Sequence, residues 1–425
     1  MLSMSVSSAT QEPKQYPTRD AVVCQACGNS PTNHVITYCS ATIDIWQGMI
    51  VRALSHYRFF RPLDHFVRRF SHALERFNFR LWHRLGLINY NSDPTRAKTY
   101  RSQVVWEEAR RRGIPMEQLV FWGAYTDIYR AHMGEWIYFE SLPIPHHLEQ
   151  SALQWIDDKL LLYRILHSEG IPVPSSVSVT SARGACAAFA QLQGMIVVKP
   201  RSGSRGRHTT TRIATEEEVV SAFRSAQRLC RYVLISRHLQ GSVCRGTVVN
   251  GKLVGFFQAD PARVTGDGVS TIQELVRMKN TSRHERVHEL ILNEGHADFV
   301  RRLGYRFDSV IEKGKVIDLS HWTGRILGGE TRELLETVHP ALKAHLERAA
   351  QVLQVPVVGF DLIIENPEAH PDTQEWGIIE ANSLPFIDLH YLPLYGTPSN
   401  VASHVWDLWN LGEGKRPSST AAQPA

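Results

Sequence analysis

The stretch Val355–Glu365, VPVVGFDLIIE, followed by Gly377–Phe386, GIIEANSLPF, decides how this chain is read. Both runs are short, apolar and rich in β-branched residues, the pattern of buried neighbouring strands. They put Asp361, Glu380 and Asn382 at the strand ends, so three oxygen ligands gather at one end of a sheet. Two carboxylates and an amide suit a hard cation. Magnesium keeps part of its shell for phosphate oxygens and water, which implies a polyphosphate sharing the metal. On these residues alone, the alternative that Asp361 and Glu380 merely end two strands stays open.

Upstream, Met195–Ile213, MIVVKPRSGSRGRHTTTRI, places Lys199 and Pro200 at a strand end, then Gly203, Gly206 and the arginines Arg201, Arg205 and Arg207, then a second strand. This reads as a hairpin with a flexible basic tip. Small residues let backbone N–H groups approach a phosphate closely, and the arginines add charge. There is no Gly-x-x-x-x-Gly-Lys-Ser/Thr run, so it is not a P-loop, and taken alone it reads equally as a solvated basic hairpin. In Ser151–Ser176 the residues Leu153, Ile156, Leu160, Leu161, Ile165 and Leu166 have helical spacing, Gly170 and Pro172 stop the helix, and Lys159 lies within it. In Tyr232–Phe257, Asn250 and Gly251 signal a tight turn between two strands, and Gly241 and Arg245 flank a loop.

The order of these four elements, from about Ser151 to Asn410, resembles the ATP-grasp superfamily. Within it the chain is similar to amino-acid ligases of the cyanophycin synthetase and glutathione synthetase type, because Arg263–Asn280, RVTGDGVSTIQELVRMKN, also looks like a segment of those enzymes. The resemblance implies an α+β fold with a small lid subdomain and a larger α+β subdomain. It implies that Lys159 and Lys199 contact nucleotide phosphates. The flap of Ser202, Gly203, Ser204, Arg205, Gly206 and Arg207 would close over them, Ser236 would stand beside the adenine, and Asp361, Glu380 and Asn382 would hold magnesium. ATP and two Mg2+ ions are the implied cofactors, with Mn2+ able to substitute. Arg245 and Arg325 are the implied catalytic arginines, for phosphate or a substrate carboxylate, and each also reads as a surface ion-pair partner. The implied reaction is an ATP-dependent carboxylate–amine ligation through an acyl phosphate, with an amino acid or peptide on at least one side. A kinase that phosphorylates a hydroxyl and a catalytically inactive nucleotide-binding protein are the alternatives.

Three positions depart from that pattern. Ser236 and Val243 stand where relatives have acidic contacts to adenosine, and Phe386 follows Pro385 where relatives favour glycine. The first two bear on nucleotide choice and the third on the acceptor pocket. A cyanophycin-making activity itself is not expected, because those enzymes carry a further Mur-ligase-like C-terminal domain and this chain ends at Ala425.

The 425 residues exceed what one core usually supports, so several domains are expected. A net charge of +5 gives no reason to expect nucleic acid as a partner, and small-molecule carboxylate and amine substrates are. No apolar run approaches a membrane span and the N-terminus lacks the pattern of a signal peptide, so a cytoplasmic location is expected. Six scattered cysteines do not make a disulfide framework. Residues 1–40 read as a disordered or irregular segment, with the polar Met1–Asp20 as its disordered part. In it Cys24, Cys27, His34 and Cys39 could in principle surround a zinc ion, although the irregular spacing of the second half favours buried or free thiols.

Residues 41–150 read as a mostly helical N-terminal domain. Its amphipathic helix Leu63–Leu85 carries Leu63, Phe66, Val67, Phe70, Leu74, Phe77, Leu81 and Leu85 on one face and five arginines on the other. Packing onto a core is the favoured reading, ahead of an anionic membrane, an acidic partner or a second subunit in a homo-oligomer. Helical patterns continue through Val104–Tyr125, and the Pro-rich Ser141–His147 looks like a linker. The ligase part is expected over 151–411, with the lid at about 151–235 and the larger subdomain at about 236–411. Thr215 and Glu218 form a capping box, a helix spans Leu334–Gln354, and 412–425 is a flexible tail.

Overall fold

The computed structural model describes residues 24–27, 32–55, 74–148, 156–203 and 206–410. The N-terminal region begins with helix α1 (His34–Ser55) and helix α2 (74–84). A four-stranded antiparallel sheet follows, made of β1 (Ile88–Asn91), β2 (Met116–Phe121), β3 (Ala124–His132) and β4 (Trp136–Glu140), with helix α3 (Tyr100–Arg111) between β1 and β2. The helical pattern expected through Val104–Tyr125 therefore stops at Arg111, and the region expected to be mostly helical carries a sheet. Gly113 at φ 70° and Pro115 end the helix, and Trp122 and Gly123, both at positive φ, make the tight turn joining β2 to β3.

Residues 63–73 of the expected amphipathic helix lie outside the described residues. Over 74–84 the expected core face is turned to solvent, with Leu74, Phe77 and Leu81 exposed. Phe79 is the buried residue there, against Ile88, Leu119 and Tyr138.

Helix α4 (Lys159–Ser168) leads into a second antiparallel sheet of β5 (Ser176–Val179), β6 (Ile196–Pro200), β7 (Thr210–Ile213) and β8 (Val233–Arg237), in the order β5-β8-β6-β7. Helices α5 (Ala182–Leu192) and α6 (Glu216–Gln227) cover this sheet, burying Ala185, Ala188, Val219, Ala222 and Phe223 against Ile196, Val198, Ile213, Val233 and Ile235. The Thr215–Glu218 capping box is present at the start of α6.

A third sheet is built from β9 (Ser242–Val249), β10 (Lys252–Ala259), β13 (Thr331–Glu333), β14 (Val357–Ile364) and β15 (Trp376–Asn382), in the order β13-β10-β9-β14-β15. Asn250 and Gly251, at φ 49° and 73°, close the β9–β10 hairpin as the turn signal predicts. Between β10 and β13 a ribbon of β11 (Pro261–Thr265) and β12 (Val316–Thr323) packs with α7 (Ile272–Ser282) and α8 (Glu294–Arg302) around a small core of its own.

Helix α9 (Pro340–Leu353) lays Leu342, Leu346, Ala349, Ala350 and Leu353 on one face of the third sheet. It starts six residues later than expected, because Pro340 takes the first helical position and the His339 side chain caps it. Helix α4, expected with the lid, buries Leu160, Leu162 and Leu166 in this same core beside Phe360, Ile364 and Ile378. On the other face, Val249, Val254 and Val357 join the core formed by α3, β3, β4 and the C-terminal helix α10 (Val401–Asp407). Among the described residues no helix is long and apolar enough to cross a membrane.

Candidate active site

Strand alternation decides which side chains of the third sheet reach the cleft. On β14, Val358, Phe360, Leu362 and Ile364 enter the core, so Asp361 and Ile363 project from the opposite face. On β15, Trp376 and Ile378 also enter the core, and unbroken alternation would bury Glu380 and Asn382 with them. It is broken: Asp361 pairs with Glu380 and Leu362 with Ile378, so Ile379 is the extra residue of a β-bulge. Beyond the bulge Ala381 is the core residue, and Glu380 and Asn382 face the cleft with Asp361. Asp361 stands within β14 rather than at its end, so the acidic group lies on the sheet's face.

The cleft is a cavity of about 930 Å3 between the second and third sheets. Lys159, Lys199, Ser202, Gly203, Gly206, Ser236, Arg245, Asp361, Glu380 and Asn382 all line it. Ser204 and Arg205 lie outside the described residues. Arg245 lies in β9 directly opposite Asp361, within the strand rather than in a loop. Its Nε and Nη2 donate to the two Asp361 oxygens at 2.6 and 2.7 Å, a bidentate pair that fixes both groups. Asn382 Nδ2 donates to Asp361 Oδ2 at 3.3 Å.

Lys159 Nζ donates to the Gly203 carbonyl at 2.5 Å and is 3.8 Å from Glu380 Oε1, so it ties the β6–β7 loop to the acidic cluster. Lys199 Nζ donates to Tyr163 Oη at 3.0 Å, and the Tyr163 hydroxyl donates to the bulged Ile379 carbonyl at 2.7 Å. Burial, seconded by the charge of Lys159, pushes the Lys199 amine down to about 7. Tyr163 is pushed up by its own burial. Ser236 is buried and accepts from the Ser176 hydroxyl at 2.8 Å.

Two arginines fall elsewhere. Arg325 is not among the cavity's lining residues; burial and the nearby charge of Arg286 lower its affinity for a proton. Arg201, expected at the basic tip, instead clamps Asp158 with Nε at 2.7 Å and Nη2 at 2.5 Å. Asp158 is also the N-cap of α4, accepting from the Leu160 and Leu161 N–H groups, so this pair places Lys159 at the first turn.

Sequence reasoning passed over Tyr163, Asp157 and Arg101. Burial raises the Asp157 carboxyl, which lines the cavity next to Lys159. Beyond Asn382, Arg101 of α3 donates to the Leu384 carbonyl at 2.7 Å and lies over the Phe386 ring, 4.9 Å from its centroid. The N-terminal region thereby shapes the end of the cleft where Pro385 and Phe386 depart from the expected pattern. Nothing in the local sequence around Arg101 signals that contact.

No family model matches the chain. By sequence it is similar to cyanophycin synthetases and to bifunctional glutathione biosynthesis proteins. It is 31% identical over 253 residues to the cyanophycin synthetase of Synechocystis sp. (strain ATCC 27184 / PCC 6803 / Kazusa), covering 57% of this chain and 29% of that protein. It is 26% identical over 262 residues to the glutathione biosynthesis bifunctional protein GshAB of Pasteurella multocida (strain Pm70), covering 59% of this chain and 35% of that one. The chain thus spans about a third of the length of the curated relatives it matches. Among solved structures, a bifunctional glutathione synthetase from Pasteurella multocida is similar with a TM-score of 0.49 and 24% identity, over 73% of this chain and 44% of that one.

Proposed function

We propose that the chain is an ATP- and magnesium-dependent carboxylate–amine ligase that works through an acyl phosphate, with an amino acid or peptide on at least one side. The observation that carries this reading is that Lys159, Lys199, Arg245, Asp361, Glu380 and Asn382 line one cavity between two sheets. The donor set fits magnesium: two carboxylates and an amide, all hard oxygen donors, on adjacent strands of one sheet face. Asp361, Glu380 and Asn382 would hold magnesium, which would supply charge neutralisation for phosphate oxygens.

The remaining residues position and shield. Lys199 stands near the end of β6 and Lys159 at the first turn of α4, and both complement the charge of a triphosphate. With the Lys199 amine held at about 7, an arriving anion favours its charged form. Arg245 holds both oxygens of Asp361, and were that carboxylate to turn to a cation, its guanidinium donors would be left for a phosphoryl group or a substrate carboxylate. Ser202, Gly203 and Gly206 of the loop between β6 and β7 line the same space, where closure over the substrates would exclude the water from which an acyl phosphate must be kept if an amine is to attack it. We assign the catalytic role to Arg245 and none to Arg325.

The test is incubation of the protein with Mg-ATP, hydroxylamine and pools of amino acids, peptides and organic acids, with hydroxamate, ADP and phosphate measured. Hydroxamate and free phosphate from the wild type but not from Asp361→Asn are expected. Nucleotide binding with no hydroxamate from any pool, or ADP with a phosphorylated product and no free phosphate, would refute the reading.

A further inference from the structure

Away from the acidic cluster, two thiols and two imidazoles from distant parts of the chain converge. Cys24 and Cys27 bracket one 3₁₀ turn, in which the Cys27 N–H donates to the Cys24 carbonyl at 3.0 Å. His34 is the first residue of α1. His208 comes from the loop between β6 and β7, 181 residues after Cys27. The four ligand atoms all lie within 4.8 Å of one another. Cys27 Sγ is 3.2 Å from His34 Nε2 and 3.4 Å from His208 Nε2, and Cys24 Sγ is 3.5 Å from His208 Nε2. Around a tetrahedral zinc with ordinary Zn–S and Zn–N bonds, neighbouring ligand atoms stand about 3.4–3.8 Å apart. Three of the cluster's edges, at 3.2, 3.4 and 3.5 Å, are close to those values, and the rest lie within 4.8 Å.

Two imidazole nitrogens lie within reach of the same Cys27 sulfur, which as a thiol donates to one and accepts from the other and as a thiolate would bind a metal beside both. The far side of His208 is also arranged for a ligand. Its Nδ1 lies 2.7 Å from the Ser225 carbonyl, an acceptor, so Nδ1 carries the proton and Nε2 presents a lone pair to the thiols. The backbone holds the imidazole there: the His208 N–H donates to the Ala26 carbonyl at 2.7 Å, with His208 at φ 51°. Two thiolates neutralise a divalent cation, so the filled site carries no net charge into a partly buried place.

Cys39, the fourth candidate on sequence grounds, is exposed and outside the cluster. It follows His34 by five residues on α1, which places it about 140° further around the helix.

We propose that Cys24, Cys27, His34 and His208 form a structural zinc site that fastens the N-terminal segment and α1 to the loop between β6 and β7. Four protein ligands leave no open position, which marks a structural rather than a catalytic metal. The fastening has a consequence for the cleft. Thr37 and Asp44 of α1 line the large cavity, as do Gly206 and Arg207 just before His208, so one ion holds two of its walls together. Ala41 and Ile45 of α1 pack on Cys230 below it. The proposal is independent of the ligase reading.

The experiment measures zinc in the full chain purified without chelator from zinc-supplemented medium, and the absorption spectrum after cobalt substitution. About one zinc per chain is expected, unchanged in Cys39→Ser and lowered by about tenfold or more in Cys24→Ser and His208→Asn. Cobalt should give a tetrahedral spectrum with the thiolate charge-transfer intensity of two sulfurs, in the wild type and in Cys39→Ser alike. If Cys24→Ser and His208→Asn fail to fold, those two spectra still decide the matter. A wild type with neither zinc nor a tetrahedral cobalt spectrum overturns the site. So does zinc lost from Cys39→Ser, or a sulfur count that falls from three to two in that variant.

Discussion

Lys199 gives the sharpest test of the cleft, because its charge should depend on what fills the cavity. Its amine is buried, donates to Tyr163 and is held at about 7, first by desolvation and then by Lys159, with Glu380 opposing. At pH 8 such a group is about nine-tenths neutral in the empty protein. A triphosphate placed against it favours the charged form, so nucleotide binding at pH 8 should take up about 0.9 proton, and at pH 6 about 0.1. By the same linkage, affinity should fall about eightfold between pH 7.5 and 8.5 through this group alone.

The assay is calorimetric titration with Mg2+ and a non-hydrolysable ATP analogue in buffers of different ionisation enthalpy. Lys199→Arg, which stays charged, should show no such uptake. Uptake below about 0.2 proton at pH 8 in the wild type, or equal uptake in Lys199→Arg, would refute the reasoning. The stability sign follows as well. The folded value lies below that of an unfolded lysine, so the unfolded chain binds more protons between about pH 7 and 10.5. Stability from this group therefore rises with pH across that window, and the cost of charging it is fully present below about pH 7.

Two further outcomes test the framework. Phe360 is fully buried between β14 and the helices over it, and Phe360→Ala should cost about 3–5 kcal/mol in denaturant unfolding; a loss under about 1 kcal/mol would contradict that packing. Gly241 has φ 124°, and a Cβ there would stand 2.3 Å from the Ile364 carbonyl carbon, a backbone atom with little room to move. Gly241→Ala should therefore destabilise by about 2 kcal/mol or more, seen as a lower Tm; an unchanged Tm would mean that β9 and β14 do not approach as described.

Some of this molecule could be read from one dimension. The paired apolar runs at 355–365 and 377–386, the Asn250–Gly251 turn, the α6 capping box and the α4 stripe all rest on period, turn chemistry or a cap. Each is a property of a few consecutive residues. The failures share a cause too. The pattern over Val104–Tyr125 mixes residues that suit either period, and only pairing with β1 and β3 makes 116–121 a strand. Leu74, Phe77 and Leu81 look like a core face until the fold leaves them exposed and buries Phe79 instead.

The sequence by itself therefore determined which carboxylate, amide and amine side chains are available to the cleft, and the strands and helix that carry them, because local physics sets those. The tertiary structure decided the rest. A single bulged residue, Ile379, turns Glu380 and Asn382 out of the core, and Arg245 closes on Asp361 across two strands. Arg101 reaches Leu384 from the N-terminal region, and His208, not Cys39, meets Cys24 and Cys27. These partners lie a hundred residues or more apart in most cases, and side-chain convergence over that distance is set by chain topology, which no local spacing encodes.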